Sequence, residues 1–246
     1  SFSQEGAEQV TNGDFATDTD WSKINSVISG GVVTITSTGY AYAAIVQNNV
    51  LTIGKTYKAT IDVKSVTGGL VVGGTSDTIT SSGIVSVYFT ASQTFLEIKR
   101  DSAYATTIAE IDNVSVKEVG QDWTLVGEAE ITEQGARILS TSGSFSSINQ
   151  YGILIVGKQY KLTFDVVSSN GAGLTVNNGD LINIPTPLGS NTHYFQSSLE
   201  SLAIKRAGGA TDVTITNISV KEVGQDWTLE PKWSIGNGFA QLISND

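Results

Sequence analysis

Between residues 57 and 63 the chain reads Tyr-Lys-Ala-Thr-Ile-Asp-Val, with apolar side chains on every second position and polar ones between them. The same alternation returns at residues 160–166 as Tyr-Lys-Leu-Thr-Phe-Asp-Val. A period of two predicts strands with one face buried and the other wet. Further strands are predicted over 43–47, 85–89, 95–100 and 111–118, about eight per repeat, and no segment holds a convincing helical period. The one stretch that tempts a helix, 127–139, aligns with a hairpin pattern found in two other places. That pattern is ISGG before VVTITS, ITEQG before ARILST and IGNG before FAQLIS, with Gly31, Gly135 or Gly238 at the turn exit. Glycine there supplies the positive φ that short hairpin turns need.

Repeats organise these strands. The eleven residues SVKEVGQDWTL begin at residue 115 and again, unchanged, at residue 219. LTIGKTYKATIDV is answered by LIVGKQYKLTFDV, LEIKR by LAIKR, and Trp21, Trp123 and Trp227 mark the three starts. A period near one hundred residues is too long for a solenoid unit and fits a whole β-sandwich per repeat. The expected organisation is an N-terminal segment (1–10), a first sandwich (11–119), a second sandwich (120–223) and the first hairpin of an incomplete third repeat (224–246). About three residues join one repeat to the next, which favours a rigid, linear arrangement over a flexible tether. The fold class predicted is all-β, with tandem jelly-roll sandwiches on very short linkers.

Composition narrows the chemistry. The 246 residues include no Cys, no Met, one His and 26 Gly, with 15% charged residues and a net charge of −10. Without Cys there is no disulfide framework, thiolate nucleophile or Cys-based metal site, and a single His excludes a multi-histidine centre. The acidity is spread over both repeats and argues against nucleic acid as a partner. No run of about 18 apolar residues predicts membrane insertion. A chain lacking Met reads as a processed product or an excised piece, and the interrupted third repeat as the edge of a longer array.

VTNGDFATDTDW, IVQNNVLTIGKTYKATIDV and IDNVSVKEV together resemble carbohydrate-binding module families 4 and 9, the galactose-binding-like jelly rolls. The second repeat keeps the middle motif as INQYGILIVGKQYKLTFDV. Sequences of this kind also resemble modules strung along phage tail fibres and other virion structural proteins. The resemblance implies non-catalytic binding of a glycan or polysaccharide, on a virion or extracellular surface. Further partners would be other copies of the chain or other fibre or virion proteins. The alternative is a structural spacer or assembly module without sugar binding. The resemblance also implies a structural calcium in the first repeat only, with Asp112 as ligand and the region of Asp14 nearby; a solvated acidic turn is the other reading of Asp14, Asp18 and Asp20. Thr216 stands at the place of Asp112 in the second repeat, so no equivalent site is expected there.

Sugar rings stack on flat aromatic faces, and hydrogen-bonding side chains hold their hydroxyls. Trp21, Trp123, Trp227, Tyr57 and Tyr160 read as core. The candidates for glycan contact are Tyr40, Tyr42, Tyr104 and Tyr151 near loops, Tyr88 and Tyr194 on the face opposite Phe89 and Phe195, and the shared polar pairs Gln47 with Gln150 and Arg100 with Arg206. Each also fits a solvated face or a cross-strand partner. His193 stands alone in the second repeat with no Cys to partner, and the shared acids Asp62 with Asp165 and Glu118 with Glu222 imply no cleft, so no enzyme is expected.

Overall fold

A computed structural model describes residues 2, 4–177, 181–184, 187–224, 233–236 and 239–242. The protein is all-β, with no helix among the described residues, hence none long and apolar enough to cross a membrane. The chain forms two compact units, one spanning Gln4–Gln121 and the other running from Asp122 onward together with Phe2.

In the first unit the strands are β1 (Glu5–Glu8), β2 (Ser22–Ile24), β3 (Ser26–Ser29), β4 (Val32–Ser37), β5 (Ala44–Gln47), β6 (Thr56–Thr67), β7 (Leu70–Val72), β8 (Gly83–Thr90), β9 (Leu96–Arg100) and β10 (Thr107–Val119). They make two antiparallel sheets, β3-β4-β10-β6-β8 with β1 added on β10, and β2-β5-β9-β7. The second unit repeats this with β11 (Thr124–Val126), β12 (Glu130–Thr132), β13 (Gly135–Ser140), β14 (Ser147–Gln150), β15 (Gln159–Gly171), β16 (Leu174–Asn177), β17 (Leu181–Ile184), β18 (Gly189–Gln196), β19 (Leu202–Arg206) and β20 (Thr211–Val223). Its sheets are β12-β13-β20-β15-β18 and β11-β14-β19-β16-β17. Each unit is thus a jelly-roll sandwich, and residues 120–123 join β10 to β11.

The alternation does what it predicts. Tyr57, Ala59, Ile61 and Val63 of β6 are buried, as are Tyr160, Leu162, Phe164 and Val166 of β15. They face β9 and β19, whose Leu96, Ile98, Leu202 and Ile204 are covered from the other side. Both tyrosines are buried away from solvent. Their hydroxyls accept from the backbone N–H of Thr52 and of Ile155, at 2.9 Å in each repeat. Each also packs on a phenylalanine of the neighbouring strand, Tyr57 on Phe89 and Tyr160 on Phe195.

The hairpin motif forms all three times. In the first, Gly30 and Gly31 make the turn at φ +65° and +80°, the double positive φ of the tight hairpin. In the second, Gly135 is not the turn exit but the first residue of β13, and a Cβ there would lie 2.3 Å from the Ile215 carbonyl oxygen. Close approach of β20 demands that glycine. The third hairpin pairs β21 (Trp233–Gly236) with β22 (Phe239–Leu242) and belongs to the second unit, where β21 lies beside β18. Trp227 and Gly238 lie outside the described residues.

The repeats start differently. Trp21 is buried on Phe15, with ring centroids 5.4 Å apart. The compressed joint leaves Trp123 without an equivalent of Phe15. Phe2 takes that place, its ring 5.1 Å from Trp123. The segment ahead of residue 11 is likewise built in: Glu5 stands opposite Val119 and Glu8 opposite Lys117 on β10.

Candidate functional site

In an antiparallel sheet, directly opposed residues share a face. Across β2-β5-β9-β7 the row Ile24, Ala44, Lys99, Val71 and the row Ser22, Val46, Glu97 therefore point away from the core, since Ile45 and Ile98 point into it. Tyr42, two residues before Ala44, leads onto this outer face. Its hydroxyl donates to Glu97 Oε1, so the phenol reaches across the sheet. Glu97 is only 8% exposed. Its other oxygen lies 2.6 Å from Lys99 Nζ. Partial burial first, and then the Glu97 carboxylate, push the Tyr42 phenol up to about 12. The ring is thus held by its edge while 43% of the residue stays exposed.

Beside the ring is a hollow of about 410 Å³, lined by Tyr42, Val71, Thr75, Lys99, Arg100 and Asp101, among others. Asp101 is tied down by the Ala103 backbone N–H at 2.9 Å and the Thr78 hydroxyl at 2.5 Å, which hold its carboxyl below the usual range. Arg100 sends Nη1 to the Asp101 and Tyr104 carbonyls at 3.3 and 3.4 Å, and its buried Nε has no hydrogen-bond partner among the described residues. A ring face, a cation, an anion and hydroxyls thus converge on one open hollow.

Of the residues singled out in the sequence, Tyr42 and Arg100 meet here, with Tyr104 adjoining through its carbonyl. Tyr40, 60% exposed at φ +64°, stands two residues away, its N–H bonded to the Ala105 carbonyl. Gln47 has a different job. It is 4% exposed and grips the backbone of Thr11, accepting from N–H at 2.9 Å and donating to C=O at 2.8 Å, so it fastens the entering chain from the interior. Gln150 is half-buried at the end of β14, and Tyr151 beside it is 65% exposed in the following loop. Tyr88 and Tyr194 lie on the other sheet of each unit, half-buried and opposite Lys58 and Lys161. Arg206 donates through Nε to the Ser144 carbonyl.

The second repeat changes the site at two coupled positions. Phe145 takes the place of Tyr42 and Ala203 that of Glu97, while Lys205 keeps that of Lys99. With no acid to meet, the Lys205 ammonium lies over the Phe145 ring, 6.0 Å from its centroid. Glu97 and Lys99 escaped the sequence reading. Their signal was present in LEIKR against LAIKR, where the only difference pairs with the change from tyrosine to phenylalanine.

The two acids considered for calcium are separately engaged. Asp14 is exposed and its Oδ1 caps the Ala16 N–H at 3.4 Å. Asp112 accepts from the Asn113 backbone at 2.7 Å and lies 3.4 Å from Lys64, which also pairs with Asp62. Among the described residues no three acidic or histidine side chains gather at one point. His193 is half-buried against Phe164 in the second unit, and burial lowers its pKa.

No family model matches the chain, and no curated protein does. Among solved structures the chain is similar to the N-terminal CBM22-1–CBM22-2 tandem domain from Paenibacillus barcinonensis Xyn10C. The identity is 9% and the TM-score 0.32, over 91% of this chain and 100% of that one.

Proposed function

We propose that the protein is a non-catalytic glycan-binding tandem module, and that its first repeat takes sugar on the outer face of β2-β5-β9-β7. The observation that carries this reading is the tethered, exposed Tyr42 ring bordering the hollow with Thr75, Lys99 and Asp101. A pyranose offers an apolar face for the ring and hydroxyls for the charged and hydroxyl groups beside it. Holding the ring in place before binding reduces the ordering cost of association. The sequence resemblance to families 4 and 9 supports the same class. It also supports a setting in a phage or other virion fibre, or in a surface adhesion protein that recognises host or environmental polysaccharide.

A second reading is favoured by the joint. SVKEVGQDWTL is identical at both junctions while the residues of the hollow differ, as a spacer or assembly module would require. A glycan array decides between the two. Retention of a defined glycan by the intact protein, lost on Tyr42→Ala, supports the first. Failure of the intact protein to bind any glycan leaves the spacer.

A further inference from the structure

The end of β10 has a neighbour on both edges. β6 lies on one side and β1 on the other, continued by the Gln9 N–H on the Val116 carbonyl at 2.9 Å and the Val114 N–H on the Gly13 carbonyl at 2.8 Å. Beneath this cover Val114, Val116 and Val119 are 4%, 0% and 2% exposed. Lys58 and Lys117 stand directly opposite each other across β6 and β10, a like-charge pairing that is unfavourable by itself. Glu5 offsets it by placing one oxygen 2.8 Å from Lys58 and the other 2.9 Å from Lys117. Glu8 accepts from the Val116 N–H at 2.7 Å and from the Ser115 hydroxyl at 2.5 Å.

The second repeat keeps every receiving residue. Lys161 and Lys221 are again directly opposite, and Ser219, Val220 and Val223 repeat Ser115, Val116 and Val119 within the identical SVKEV. What it lacks, among the described residues, is the strand. β13 pairs with β20 only from Thr211 to Ile215, and among the described residues no strand pairs with that edge beyond Ile215. Ile218, Val220 and Val223, at the places of three buried valines, are half-exposed, and Lys221 is exposed. An unpaired edge is a template for strand addition, and this one carries two facing ammonium groups with no ion pair among the described residues.

We propose that the edge of β20 from Ile218 to Val223 is an acceptor site for an extended acidic segment of another polypeptide, with glutamates three residues apart, added antiparallel as β1 is on β10. The first glutamate enters between Lys161 and Lys221. The second reaches the Ser219 hydroxyl and the Val220 N–H, while the incoming main chain fills the open ladder and covers Val220.

A labelled peptide of residues 4–12, QEGAEQVTN, titrated into the full protein tests this by fluorescence anisotropy and amide chemical shifts. Saturable binding with shifts at residues 218–223 is expected. Affinity should fall about tenfold when both peptide glutamates become glutamine or the protein carries Lys221→Gln, and less with Ser219→Ala. Concentration-dependent dimerisation that the peptide abolishes would support the site and identify a second copy as donor. The proposal is overturned by absence of saturable binding. It is equally overturned if Lys221→Gln and Ser219→Ala, both folded by circular dichroism, leave affinity unchanged, or if shifts appear at residues 114–119 instead.

Discussion

The two repeats share a frame and differ in what covers it. Both keep the buried tyrosine that accepts from the preceding loop, the paired lysines of the long central strands and an ion pair at the strand end, Lys55 with Glu118 at 3.0 Å and Lys158 with Glu222 at 3.1 Å. The first repeat then adds an N-terminal strand and a tyrosine tethered to an acid. Among the described residues the second has an open strand edge and an untethered phenylalanine. It also carries an ion-pair cluster on the outside of its other sheet. Where the first repeat has exposed Val27 and Ile108 around Thr34, the second places Glu130 and Asp212 around Arg137, whose guanidinium meets Asp212 through two contacts of 2.7 Å. What two copies share is what the sandwich needs to stand; what they do not share is where function has room to differ.

That contrast can be broken most forcefully at the identical SVKEV. Val116→Ala and Val220→Ala remove the same atoms from the same local sequence. Val116 is fully buried, so its loss should cost about 2 kcal/mol, and the half-exposed Val220 about 1 kcal/mol. Hydrogen exchange followed separately in each repeat measures both; equal costs would mean that β1 does not shield the first repeat. Tyr57→Phe and Tyr160→Phe should behave alike, each leaving one loop N–H without its acceptor at about 1 kcal/mol. A large difference between them in the same experiment would show that the shared frame is not shared energetically.

The alternation, the hairpins and the repeat arithmetic made the sandwiches legible, because burial on one face writes a period of two into the chain. The site was legible only in part. Tyr42 and Arg100 were visible as an aromatic and a cation near loops, but Glu97 looked like one more polar residue on a strand until the tyrosine hydroxyl was seen to reach it. Gln47 misled for the opposite reason. A polar residue shared by both repeats at a strand end reads as exposed, yet a glutamine with both amide atoms bonded to one backbone residue is tolerated inside. The role of residues 5–8 was invisible, since a four-residue strand with two glutamates shows no apolar alternation.

Smaller effects sharpen the comparison through pH. The raised Tyr42 phenol favours the neutral form in the folded state. Its contribution is fully present below pH about 10 and is lost as pH rises through about 12. Ultraviolet titration should show a late-ionising component that Tyr42→Phe diminishes and that Phe145→Tyr combined with Ala203→Glu enlarges. At the acid end, Asp212 is held below the usual carboxylate range by Arg137. Its contribution is present above pH about 4 and falls away as pH drops through the lowered value. Asp212→Asn should therefore flatten the acid limb of the second repeat's stability and leave that of the first unchanged.

The central claim is that sugar is taken by the first repeat on the face crossed by Tyr42. Amide chemical-shift mapping with the glycan best retained on an array tests it most directly. The account predicts shifts concentrated at Tyr42, Val71, Thr75 and residues 97–102, with residues 145–149 and 203–206 quiet. Shifts confined to the second repeat, or to the sheet that carries Tyr88, would contradict it.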